Sequence, residues 1–330
     1  MIEGHGDDAW KYNIPIRADF SSNVLYGELD AGLLSHLQTV LVHVTHYPEA
    51  GAQSLQRAAS QAYGVSEEMV LVTNGVTEAI YLIAQAFRQR SAIIYTPAFA
   101  EYEDACRVQG MEIGFRDWEE LRDGGLGNAG LVFLCNPNNP TGFSTGLDWL
   151  RNHPETLFVV DESYIEFAPN AKSVIGLPNV LVLRSLTKSC RIPGLRVGFV
   201  VGAPALIGQL RDIKMPWSVN RLAIEAGLYI FSHSRDFIVP VQRLLDETRV
   251  WQGALRAATG WKIWDTDTHY FLIDTPAPMK MKLLSDYGLL VRDASNFRSL
   301  MPNTIRVACQ SPEHNHLLTQ ALAECSAAGR

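Results

Sequence analysis

The chain has 330 residues, 47% hydrophobic and 19% charged, with a formal net charge of −7. That balance fits a globular protein with a sizeable core, long enough for one large domain and a smaller one. A net negative surface does not invite nucleic acid or an anionic membrane, so any anion site must be local.

The start, MIEGHGDDAW, has no basic segment followed by an apolar run, so no signal peptide is expected. No stretch reaches the roughly 18 apolar residues of a membrane helix. An N-terminal arm, residues 1–41, is too short to fold alone and is expected to pack on the smaller domain or the mouth of the site. A large domain is expected over 42–236. Its strands read as 70–73, 92–96, 112–115, 131–135, 157–160, 180–184 and 197–201, with amphipathic helices at 77–89 and 99–109 between them. Apolar runs of four or five alternating with helices predict an α/β fold: a mostly parallel sheet covered on both faces, three layers in all. After Pro204 long helices run to 259, broken at Pro216 and Pro240. A β-rich tail follows at 261–264, 269–274, 288–292 and 304–308. It predicts a smaller α+β domain, bounded as 237–330.

Three features are set aside. Gly125 to Gly130 fits G-x-G-x-x-G, but a strand follows it where a dinucleotide site needs one before it, so it reads as a surface loop. Cys106, Cys135, Cys190, Cys309 and Cys325 are odd in number and scattered, which fits free thiols in a reducing cytoplasm. Cys190, close to Lys188, reads as a small buried hydrophobe. His314 and His316 are two apart at a helix start and face apart, so no metal is expected there.

Ligands of an open parallel sheet bind outside the carboxyl ends of its strands. The first end runs into Asn74-Gly75-Val76-Thr77, a tight turn opening a helix near Thr77. The free N–H groups of Gly75, Val76 and Thr77 suit a phosphate. The second puts Phe99 where it could stack on a flat ring. The third, Asn136 to Gly142, is stiffened by two prolines and a glycine and holds out the Asn139 amide. The fourth runs an apolar strand into Asp161, with Tyr164 three residues on; a buried carboxylate needs a cation, such as a protonated ring nitrogen. The fifth carries Ser185, Thr187, Lys188 and Arg196. Two hydroxyls and an arginine suit a phosphate, and the lysine suits an aldehyde. Each alone resembles an ordinary turn. Together they compose a binding set for pyridoxal 5'-phosphate (PLP), with Lys188 forming the Schiff base.

Three motifs carry a family resemblance: N-P-T-G at 139–142, D-E-x-Y at 161–164, and S-x-x-K at 185–188 with an arginine eight residues beyond the lysine. The pattern resembles the fold type I PLP-dependent aminotransferases across nearly the whole chain. Within them it is similar to the histidinol-phosphate aminotransferases. It is more similar to the threonine-phosphate decarboxylases of cobalamin synthesis, through Asp19 to Asn23, Thr96 to Tyr102, Val182 to Lys188, Ile192 to Arg196 and Met215 to Asn220. The resemblance implies that Asp161 pairs with the pyridine nitrogen, Tyr164 and Asn139 touch the ring hydroxyl, and Phe99 stacks. It implies that Tyr47 reaches the cofactor phosphate of a neighbouring subunit in a homodimer. It implies that Arg306 grips the substrate carboxylate, with Asn23, His5 and Asn139 at the substrate. Two departures bear on the substrate: Asp7-Asp8 replaces a Gly-Asn pair, and Asn23 to Gly27 is a shortened segment.

The implied substrate is a small phosphorylated amino acid. O-phospho-L-threonine would lose CO2 and give (R)-1-aminopropan-2-yl phosphate, the bond perpendicular to the ring plane being the one that breaks. The alternative is a histidinol-phosphate or related aminotransferase, which needs a keto-acid acceptor. A non-catalytic regulator on this fold would carry an added DNA-binding domain, for which the chain has no length to spare.

Overall fold

The computed structural model describes residues 6–123, 126 and 130–328. His5 and most of the 125–130 loop lie outside them.

In chain order the elements begin with β1 (Ala18–Asp19), α1 (Ala31–Val40) and α2 (Gln53–Tyr63). Next come β2 (Val70–Thr73), α3 (Gly75–Ala86), β3 (Ala92–Thr96), α4 (Ala100–Val108) and β4 (Ile113–Asp117). Then follow β5 (Leu131–Cys135), β6 (Leu157–Asp161), β7 (Val180–Ser185) and β8 (Gly198–Val201). The chain continues through α5 (Pro204–Ile213), α6 (Arg221–Ser232) and α7 (Val241–Thr259). It closes with β9 (Lys262–Ile263), β10 (Tyr270–Asp274), α8 (Lys280–Tyr287), β11 (Leu289–Leu290), β12 (Arg292–Asp293), β13 (Thr304–Ala308) and α9 (Pro312–Ala328).

Seven strands form the main sheet in the order β2-β8-β7-β6-β5-β3-β4. Only β8 runs against its neighbours. The carboxyl ends of β2, β3, β5, β6 and β7 therefore share one edge, which is why segments far apart in sequence meet there. The register sets Thr73, Gly198 and Ser185 in one row across the sheet. Cβ on Gly198 would lie 2.9 Å from the backbone nitrogen of Val76, so only glycine lets β8 pass the start of α3 this closely.

Alternation along the strands divides the core. Leu71, Ile94, Phe133, Val159, Leu181 and Val200 face one layer; Val72, Ile93, Val132, Phe158, Val182 and Phe199 face the other. Helix α3 contributes Ala79, Ile80, Leu82 and Ile83 to the first, at helical spacing. Helices α2 and α6 contribute Leu55, Ala59, Ala223 and Ile224 to the second.

A four-stranded antiparallel sheet, β12-β13-β10-β9, follows in the C-terminal part. The expected strand at 288–292 is two short strands: β11 pairs with β1 of the N-terminal arm, and β12 pairs with β13. A strand that changes partner at Val291 keeps one apolar run in sequence, so the break is invisible there. The arm is held further by Phe20, whose N–H donates to Leu290 and whose carbonyl accepts from Ala308. The helix expected near Thr77 starts two residues earlier, at Gly75 with φ +73°. Among the described residues no helix is long and apolar enough to cross a membrane. All five cysteines are buried and free.

Candidate active site

The shared strand edge opens into a cavity of about 350 Å³. Asn23, Phe99, Asn139, Tyr164, Lys188, Arg196 and Arg306 all line it. These include residues from four of the five strand ends singled out in the sequence.

Lys188 follows β7. Its ammonium makes no hydrogen bond or ion pair among the described residues. Burial, with Arg196 and Arg306 nearby, pulls its pKa down to about 8. Its carbonyl accepts from the Leu25 N–H at 3.0 Å, so the shortened 23–27 segment packs against the lysine's own loop. The Arg191 Nε–H, donated to the Tyr26 carbonyl at 3.0 Å, ties the same two segments.

Asp161 ends β6 and is buried. Burial raises its pKa; the N–H of Ser163 and the hydroxyl of Tyr102 oppose that rise. Ser163 N–H donates to Oδ1 at 2.9 Å and Tyr102 to Oδ2 at 2.6 Å. A carboxylate accepts more than two hydrogen bonds, so capacity remains for a cationic partner.

On the next strand ends, the Ser185 and Thr187 hydroxyls are 2.8 Å apart and buried, bonded to each other. Cβ on Gly75 would lie 2.5 Å from Arg196 Nη2. The arginine thus lies directly over the glycine that opens α3. Hydroxyls, guanidinium and helix N–H groups converge, as an anion requires, while the first-turn acid Glu78 accepts from the Asn74 N–H.

Arg306, on β13, is buried and makes no ion pair among the described residues. Its Nη1 donates to Asn139 Oδ1, and its Nη2 to the Ser21 carbonyl at 2.7 Å. Among the described residues its buried Nε has no hydrogen-bond partner, nor has the side-chain amide of Asn23. Burial lowers the Arg306 pKa. Directly across the strand pair stands Arg292, also buried and lining the cavity. It donates to the Asp293 carbonyl and, at 2.8 Å, to Asn296 Oδ1, again with no carboxylate. Burial and the charge of Arg306 pull its pKa down to about 9. Two adjacent buried cations that make no ion pair are costly unless an anion completes them.

The sequence reading missed Arg292. Its signal was the one that marked Arg306: an arginine in an apolar tail strand, Leu289-Leu290-Val291-Arg292 beside Ile305-Arg306-Val307. The two acids of the arm separate in the structure. Asp8 is bound by Lys280 at 2.8 and 2.9 Å, so its charge is neutralised. Asp7 is exposed and is the one acid among the residues lining the cavity. Val76 and Thr77 stand at the start of α3, half-buried. Tyr47 is not brought to this chain's own cavity; it is 85% exposed, its ring 5.5 Å from that of Trp217.

A three-layer α/β sheet, with a lysine, a buried acid and an anion cradle at one edge, defines a class of cofactor-dependent enzymes acting on amino groups. The chain belongs to the aminotransferase class I and II family, whose model matches residues 36–322. It is 30% identical to the threonine-phosphate decarboxylase of Salmonella typhimurium, over 92% of this chain and 90% of that one. It is also 30% identical to the histidinol-phosphate aminotransferase of Desulfitobacterium hafniense, over 94% and 91%. Among solved structures it is similar to the L-threonine-O-3-phosphate decarboxylase of Porphyromonas gingivalis, with TM-score 0.89 and 35% identity over 93% of this chain and 98% of that one. The histidinol-phosphate aminotransferase of Sinorhizobium meliloti, in complex with pyridoxal 5'-phosphate, shares the fold: TM-score 0.86, 19% identity, 98% and 94% covered.

Proposed function

We propose that this chain is a PLP-dependent enzyme that decarboxylates O-phospho-L-threonine to (R)-1-aminopropan-2-yl phosphate, the amino-alcohol phosphate used for the cobalamin nucleotide loop. The observation that carries the reading is the pair Arg292 and Arg306 on the cavity wall, neither of them ion-paired to a carboxylate among the described residues. A small substrate with two anionic groups, one carboxylate and one phosphate, would complete both.

The residues present fit the cofactor. The Lys188 amine would hold its aldehyde, and Asp161 its ring nitrogen. Phe99 would face its ring, with Asn139 and Tyr164 at its hydroxyl. The N–H groups of Gly75, Val76 and Thr77, with Ser185, Thr187 and Arg196, would hold its phosphate. When bound, the cofactor supplies an electron sink for the bond broken at Cα.

The chain's own groups do the rest. Arg306, already held by Asn139 and Ser21, offers its Nε side to the substrate carboxylate. Arg292 takes the phosphate. Fixing both ends sets the rotation about Cα, and so which bond breaks. Lys188 Nζ can return a proton to Cα after CO2 leaves. Asn23 and His5 would close the substrate side.

Tyr47 would serve a neighbouring subunit. It lies close in sequence to the exposed Leu41, Val42 and Val44, apolar residues that suit burial in a homodimer, and the free thiols suit the cytoplasm. The domain limits 1–41, 42–236 and 237–330 are proposed on the same footing.

The second reading is a histidinol-phosphate aminotransferase, favoured by the Desulfitobacterium relative at equal identity. The structural likeness to the Porphyromonas decarboxylase, at the higher identity, favours the first. Purified PLP-loaded protein should be offered histidinol phosphate with 2-oxoglutarate. Glutamate formed at an enzymatic rate would move the chain to the aminotransferases; none is expected.

A further inference from the structure

We propose that Tyr102 is a positioning residue for Asp161, holding the buried carboxylate in the orientation and charge state that the cofactor's ring nitrogen needs. The proposal rests on the reading that Asp161 faces that nitrogen.

Tyr102 lies in the first turn of α4 and is fully buried. Its ring stacks on Phe133, with centroids 5.4 Å apart and planes 17° apart, and meets Phe99 edge-on at 5.9 Å. A ring held on both sides cannot swing, so its hydroxyl has one direction. That direction is Asp161 Oδ2 at 2.6 Å, the short distance of a charge-assisted O–H···O bond. Oδ1 is held from another element by the Ser163 N–H. Two donors on two oxygens fix the carboxylate plane.

The titratable groups around Asp161 are Tyr102, Cys135, Tyr164 and Lys188. Burial pushes the phenol of Tyr102 and the thiol of Cys135 well above their usual pKa, so both keep their protons. Tyr102 is thus a permanent donor that favours the ionised carboxylate at a site where burial favours the neutral one. Packing alone does not account for the oxygen. Phenylalanine fills the same ring stack and leaves no hydroxyl to desolvate.

The test uses the cofactor-loaded protein and three variants: Tyr102→Phe, Asp161→Asn and the double variant. The readouts are the visible absorption band and cofactor retention as pH is lowered. In Tyr102→Phe the acid limb, where the band is lost, should move up by about one to two pH units, the equivalent of one charged hydrogen bond. The kcat should fall about tenfold to a hundredfold on the same basis, with KM little changed. In the Asp161→Asn background the same change should move nothing. Loss of the band in Tyr102→Phe, with unchanged melting of the cofactor-free protein, would also support the proposal. An unmoved limb, an equal shift in both backgrounds, or lower melting with an unmoved limb would overturn it. An Asp161→Asn protein with wild-type band, retention and activity would overturn it together with the role assigned to Asp161.

Discussion

Replacing Arg292 with glutamine probes the observation on which the substrate assignment rests. The side chain spends one N–H of each Nη on Asp293 and Asn296. Nε and one N–H on each Nη make no hydrogen bond among the described residues. Two bonds from a guanidinium to a phosphate contribute about 1.5–3 kcal/mol each. The kcat/KM for O-phospho-L-threonine should therefore fall by at least about a hundredfold, at roughly 1.4 kcal/mol per decade. The fold should tolerate the change. Lost hydrogen bonds are offset by relief of the repulsion with Arg306, so the cofactor-free melting temperature should move by less than about 3 °C. The assay is CO2 release from O-phospho-L-threonine, with L-threonine, which lacks the phosphate, as control substrate. Its slower turnover should change by no more than about threefold, since no phosphate bond is lost. A variant that keeps wild-type kcat/KM for the phosphorylated substrate, or loses both substrates equally, would refute the reasoning.

Three further outcomes follow from the geometry. Lys188 bonds to an aldehyde only as the neutral amine, which is present above its pKa. The rate of PLP uptake by the cofactor-free protein should rise with pH through a midpoint near 8, not near the usual lysine value of 10.5, as stopped-flow absorbance would read; Lys188→Ala should give no covalent chromophore. Gly75→Ala sets a Cβ against Arg196 at φ +73°. It should cost about 1–3 kcal/mol, seen as lower cofactor affinity in titration and earlier thermal unfolding. Asp8→Ala removes the carboxylate that holds the half-buried Lys280 ammonium. It should destabilise the cofactor-free protein by about 2 kcal/mol, measured by denaturant melting.

Much of this was legible in the sequence because a parallel sheet has one rule for where ligands bind. The runs ending at Thr73, Cys135 and Asp161 are apolar without interruption, and their terminal polar residues stand out at once. The edge they share follows from strand direction, which alternating strands and helices already imply. The tail was harder to read. Val291 joins two short strands of different sheets without a break in the apolar pattern, so periodicity reports one strand. Pairing across strands is also invisible to local patterns. Arg292 and Arg306 are 14 positions apart in sequence, and only the antiparallel register of β12 and β13 makes them neighbours. Tyr102 was noted only as part of a motif; its contact with Asp161 spans 59 positions, from the first turn of α4 to the end of β6. The exposed Tyr47 has no partner within one chain's cavity, and its assignment came from resemblance alone.

The central claim is the bond that breaks. It is tested most directly by giving the purified, PLP-loaded protein carboxyl-labelled O-phospho-L-threonine, with no keto acid present. The account predicts labelled CO2 and 1-aminopropan-2-yl phosphate in equal amounts over many turnovers. Retention of the label in the amino acid, or turnover only after a keto acid is added, would contradict it.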